Sequence, residues 1–218
     1  MLELPDLMLF LTELRLNNSK VWFDQNRSRY TALRQDFIAL TGQIIIRVAE
    51  FDPSVAAVRA ADSLFRINRD VRFSKDKSPY KSSFSAAISS GGRHSVAPIY
   101  YLQLGADESL AAGGIYMPEA SELKLIREHI VRYPSRAKAL LAHKLLQKEF
   151  AGLDQDNVLQ RFPRGFEEVG ELLKYKSFTV SAHFDGETLE DCMAFVVQKF
   201  SAMRPLHHWL LEALAYRE

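Results

Sequence analysis

Cysteine is almost absent. The chain has one, Cys192, in 218 residues. No disulfide can form within it, so stability has to come from a packed core, as expected in a reducing compartment. Glu190 and Asp191 precede Cys192 and would keep its thiol protonated, so it reads as a small buried hydrophobe rather than a nucleophile. Long apolar runs are also missing. The first, Leu7–Leu11, is too short to cross a bilayer and has no basic region before it. The expectation is a cytoplasmic protein with no membrane association and no targeting segment. Neither sign of charge dominates: 28 basic residues against 27 acidic ones leave +1. That excludes a dedicated non-specific nucleic-acid coat, which is usually strongly basic.

The common chemical signatures are lacking too. The six histidines, at 94, 129, 143, 183, 207 and 208, form no HExxH pattern and no cluster with cysteine. His207 and His208 would diverge by about 100° on a helix, too far to share one ion. There is no GxSxG elbow, no P-loop and no kinase string. Neither a metal nor a cofactor is expected. The Gly91–Gly92 pair reads as a turn, because no phosphate-binding helix pattern follows it.

What is present is an ordinary core composition, 47% hydrophobic residues, without repeats, low-complexity tracts or an obvious linker. The length is enough for a substantial core. It reads as one domain over 1–218, with a helical N-terminal part (about 4–52), a sheet-rich part (about 63–118) and a helical C-terminal part with one strand (about 119–218). Leu7, Phe10, Leu11 and Leu14 recur at helical spacing. Ser19 is the expected N-cap of a second helix. Its apolar stripe runs from Trp22 to Val48, with an interruption near Asn26, and stops at Asp52–Pro53. Residues 54–61 read as a short strand or turn. Ile99–Leu104 and Leu110–Met117 read as an antiparallel hairpin, with Gly113–Gly114 marking a bulge or a close backbone approach. A helix capped near Ser121, another over 135–150, a strand at 178–184 and two closing helices separated at Pro205 complete the pattern. Helices, then strands, then helices indicate α+β: an antiparallel sheet packed by N- and C-terminal helices.

The most unusual stretch lies between Arg66 and Lys81. It holds six basic residues and two acidic ones, a net of +4 in a chain of +1. Phe65, Ile67, Val71 and Phe73 alternate with polar residues, which predicts an extended segment with one buried face. Arg69 interrupts the apolar row, so a bend is expected near Asn68–Asp70. Ser74–Lys81 reads as a loop. Guanidinium forks and lysines suit oxyanions. The expected ligand-binding set is Arg66, Asn68, Arg69, Arg72, Lys75, Lys77, Tyr80 and Lys81. Arg164, between Pro163 and Gly165, is a further candidate. Asp70 is the candidate proton-transfer group.

The string FRINRDVRFSKDKSPYK, residues 65–81, resembles the signature of a bacterial and fungal family described only as a domain of unknown function, family 2461. Asn17–Phe23, Gly113–Pro118, Pro163–Phe166 and Leu172–Phe178 fit the same family, in order. The resemblance implies one fold over most of the chain and brings no activity with it. Three readings therefore stand open. One is a module binding a small phosphorylated or carboxylated ligand. The second is an enzyme on such a ligand. The third is a module for an acidic protein partner, and nucleic acid stays open as a special case of the first. Oligomeric state is not legible.

Overall fold

The computed structural model describes residues 3–92, 95–163 and 170–215. Helix α1 (Leu4–Leu16) buries Leu4, Leu7, Phe10, Leu11 and Leu14. Pro5 sits in its first turn, where a missing N–H costs nothing. The Ser19 hydroxyl accepts the Trp22 N–H at 3.3 Å and starts α2 (Lys20–Gln25). Asn26 then separates α2 from α3 (Arg27–Ala49), and its amide donates to the Trp22 carbonyl at 3.0 Å. Along α3, Leu33, Phe37, Leu40, Ile44, Ile45 and Val48 form the buried stripe. The next residues make a 3-10 turn at Pro53–Val55 and the short helix α4 (Ala60–Ser63), not a strand.

The sheet has four antiparallel strands in sequence order: β1 (Ser83–Ile88), β2 (Ile99–Gly105), β3 (Leu110–Ile115) and β4 (Phe178–His183). Its registers include Ala86 opposite Leu102, Leu102 opposite Ala111, and Ala111 opposite Ala182. The late strand therefore completes the sheet, whereas the basic stretch contributes only isolated bridges, Leu64 to Ala86 and Asn68 to Tyr80. Gly114 makes the β3–β4 pairing close: its φ is +119°, and a Cβ there would overlap the Phe178 carbonyl oxygen. A side chain at this position is barred both sterically and by backbone conformation.

Helix α5 (Ala120–Arg132) starts at Glu119 without a side-chain cap, so Ser121 is not its cap. The helix expected over 135–150 is two helices, α6 (Pro134–Leu141) and α7 (Lys144–Glu149). In an unbroken helix Leu146 would lie about 120° round from Leu140; the break lets both face inward. A capping box between Thr188 and Asp191 opens α8 (Leu189–Ala202). Pro205 falls in the first turn of α9 (Arg204–Ala215) rather than in a connector.

Helices α3, α8 and α9 pack on the sheet. Phe37, Tyr100, Phe178 and Phe200 are fully buried in one cluster with α1. Cys192 is part of it, and burial pushes its thiol up to about 12. Strand alternation leaves the opposite face of β2, β3 and β4 less covered: Tyr101, Gln103, Ala112 and Ser181 are half-buried where Tyr100, Leu102 and Ala111 are buried. Among the described residues, no helix is long and apolar enough to cross a membrane.

Candidate binding site

The basic stretch folds back on itself. The Phe65 N–H donates to the Ser85 carbonyl at 2.9 Å, so its start runs beside β1. Further along, the Lys81 N–H donates to the Ile67 carbonyl (2.8 Å) and the Arg69 N–H to that of Pro79 (2.9 Å). The result is a narrow arm with a tip over residues 70–78. The expected one-sided burial stops at Ile67, which is 4% exposed; Phe73 is 96% exposed. The chain turns before the apolar alternation can be used, and Tyr80 from the returning limb takes the core position instead. Its ring stacks on Phe23 at 4.0 Å between centroids. Asn18 grips the same residue twice: its amide donates to the Tyr80 carbonyl at 2.9 Å, and its oxygen accepts the Tyr80 N–H at 3.1 Å. Asn18 and Trp22 thus serve the fold: Asn18 anchors the arm, and Trp22 packs 5.8 Å from the Phe10 ring.

The fold divides the expected site residues. At the tip, Arg72 binds Asp70 through two guanidinium nitrogens, at 3.0 and 2.7 Å. Those bonds hold the Asp70 carboxyl below its usual range. Arg69 pairs with Asp76, whose carboxyl is lowered to about 2, first by the Ser78 hydroxyl and N–H and then by Arg69. The Lys77 ammonium donates to the Val71 carbonyl at 2.9 Å. Asn68 and Lys75 are exposed. At the base of the arm, Arg66 is exposed and Lys81 half-buried, and neither has an ion-pair partner among the described residues. The Lys81 ammonium lies 5.3 Å from the centre of the Phe65 ring. Burial, and then the neighbouring Arg66 charge, lower its pKa. Arg164 lies outside the described residues.

Phe65 also forms one wall of a groove of about 520 Å³ on the less covered face of the sheet. Its ring meets Tyr101 edge-on at 6.1 Å. Ala112 and the Gly113 backbone floor the groove, and Thr179, Ser181, Asp154 and Asp156 line the far side. Asp154 accepts both β4 hydroxyls, from Thr179 at 2.6 Å and Ser181 at 2.8 Å. The Tyr101 hydroxyl donates to Gln103 Oε1 at 2.9 Å. Tyr101 and Ser181 are two strands apart, which sets about 10 Å between their backbones. A larger depression, about 720 Å³, lies between α3 and α8. Its one cation, Arg47, is held by Glu50 at 3.5 Å.

Sequence reasoning missed this groove. Its signal was present in β2, where Tyr101 and Gln103 alternate with Tyr100, Leu102 and Leu104, and in β4, where Thr179 and Ser181 alternate with the apolar Phe178, Val180 and Ala182. Asp154 and Asp156 carry no local signal, because only the return of β4 to β3 brings their connector to this face.

The model of the family described as conserved hypothetical protein (DUF2461) matches residues 6–209. The chain belongs to this family. No curated protein and no solved structure matches it. The DUF2461 match spans the arm and every described groove residue, so arm and groove lie within one family unit.

Proposed function

We propose that this DUF2461 protein binds a small phosphorylated or carboxylated ligand, with the anionic group at Arg66 and Lys81 and the body in the groove beside Phe65. The observation that carries this reading is the closeness of two like charges, Arg66 and Lys81, neither of which is in an ion pair among the described residues. An anion placed there relieves their repulsion and gains charge-assisted hydrogen bonds. Arg69 and Arg72, already engaged by Asp76 and Asp70, shape the arm. Lys75 and Lys77 add long-range attraction for an anion. Asp70 suits an ion-pairing role better than proton transfer, since Arg72 holds it ionised. The binding reading therefore stands ahead of the enzyme reading. The carboxylates of Asp154, Asp156 and Glu108 along the groove disfavour a polynucleotide threaded through it.

Thermal-shift screening against inorganic phosphate, sugar phosphates, nucleotides and dicarboxylates tests the proposal, followed by titration calorimetry. A stabilising anion is expected, with a shallow salt dependence; several phosphate contacts would give a steep one. Arg66→Ala and Lys81→Ala should each weaken it about tenfold or more and leave the fold intact. Binding unchanged in both variants would refute the assignment.

A further inference from the structure

The groove has two unlike ends, and they constrain the rest of the ligand. One wall is aromatic, Phe65 against Tyr101, with the Lys81 ammonium 5.3 Å from the Phe65 ring centre and the Arg66 charge near enough to act on Lys81. Asp154 and Asp156 stand across the floor. Thr179 and Ser181 spend their hydroxyl hydrogens on Asp154, one on each of its oxygens. A carboxylate oxygen has room for a second donor, so Asp154 still accepts hydrogen bonds, and ionised carboxylates only accept. Asp156 is exposed and has no partner among the described residues. Gln103 is occupied by Tyr101 on its oxygen and leans its amide toward Glu108 at 3.4 Å. The far side therefore asks for donors, in particular O–H groups spaced to meet neighbouring carboxylate oxygens. On the near side Glu108 stands by Tyr101 and Gln103, and it is the Lys81 rim over Phe65 that asks for an anion. The floor between them is narrow, small and apolar.

From this polarity we infer that the ligand is a sugar monophosphate. Its phosphate sits on Arg66 and Lys81, the C–H face of its ring packs on Phe65 and Tyr101, and its hydroxyls reach Asp154 and Asp156. This inference rests on the anion-binding reading above and goes beyond it by specifying the body of the ligand. The same acids that accept hydroxyls repel a second negative charge. A phosphate at each end, as in a sugar bisphosphate, is therefore excluded. So is a dicarboxylate long enough to span the groove.

Titration calorimetry on the full chain would use four probes: inorganic phosphate, a panel of glucose, mannose and ribose phosphates, fructose 1,6-bisphosphate, and glucose. At least one sugar monophosphate should bind about tenfold or more tightly than inorganic phosphate, and the bisphosphate no more tightly than the best monophosphate. Asp156→Asn, at an exposed position, should reduce the advantage of the sugar monophosphate over inorganic phosphate and narrow the gap between monophosphate and bisphosphate, because it removes a hydroxyl acceptor and a repelling charge together. The inference is overturned, and the anion reading kept, if phosphate binds through Arg66 and Lys81 but no sugar monophosphate improves on it. It is overturned as well if the bisphosphate binds most tightly. If neither phosphate nor any sugar phosphate binds, the anion reading falls along with it.

Discussion

Replacing Asn18 by alanine tests how the basic arm is held. The Asn18 amide is the link between the α1–α2 corner and the returning limb of the arm, making two hydrogen bonds to the Tyr80 backbone at 2.9 and 3.1 Å. Tyr80 is 7% exposed and stacked on Phe23, so little water can replace the lost partner. A hydrogen bond contributes about 1 kcal/mol net, and a group left unsatisfied in the interior costs about 1–3 kcal/mol. Two bonds, only partly rehydrated, imply a loss of about 2–3 kcal/mol. For a chain of this length that lowers Tm by about 4–12 °C, readable by denaturant titration and calorimetry. The same change should weaken anion binding, because Lys81 follows Tyr80 directly and loses its fixed position over Phe65. Asn18→Asp preserves the acceptor but not the donor and should fall between the two proteins. A loss below about 0.5 kcal/mol, with binding unchanged, would refute the anchoring role.

Three further outcomes follow from other parts of the fold. His207 is buried, and desolvation pushes its pKa down to about 4, partly opposed by Asp52. The unfolded chain takes up a proton near pH 6.5 and the folded chain does not, so stability should fall as pH drops from about 6.5 toward 4, by roughly 3 kcal/mol. Urea unfolding at several pH values should show this slope, and His207→Leu should reduce it, the remainder coming from His129, whose pKa burial also lowers. Gly114→Ala should prevent correct β3–β4 pairing, seen as lost soluble yield or a collapsed thermal transition, because its Cβ would meet backbone rather than a movable side chain. Cys192, fully buried with its thiol raised to about 12, should resist a thiol reagent in the native protein and react completely in denaturant.

Much of the helical part was legible because its signals are local. The Ser19 cap, the break at Asn26 and the stripe from Leu33 to Val48 depend on residues three or four apart. The hairpin of β2 and β3 was legible for the same reason, through alternation on either side of a short turn. The errors have a common origin. The apolar alternation from Phe65 to Phe73 has the form of a strand, but among the described residues the sheet pairs with it only as far as Phe65; beyond that it pairs with its own returning limb, and Phe73 is left in water. The fourth strand had to be recruited from beyond three helices, a pairing no local pattern encodes. The split between α6 and α7 follows from where the core lies, which helical spacing alone does not reveal.

The amino-acid order alone determined the α+β class, the absence of disulfide support and the concentration of positive charge between Arg66 and Lys81, since composition and short-range spacing are properties of the chain itself. Only the tertiary structure decided which of those charges are available. Asp70 and Asp76 engage Arg72 and Arg69 because the arm folds on itself, while Arg66 and Lys81 have no ion-pair partner among the described residues and Lys81 lies over Phe65, a wall of the groove that β4 completes. Whether a charge is neutralised depends on its neighbours in space: the arm's own turn brings Asp70 and Asp76 to Arg72 and Arg69, whereas the groove beside Phe65 draws Asp154 and Asp156 from a distant part of the chain.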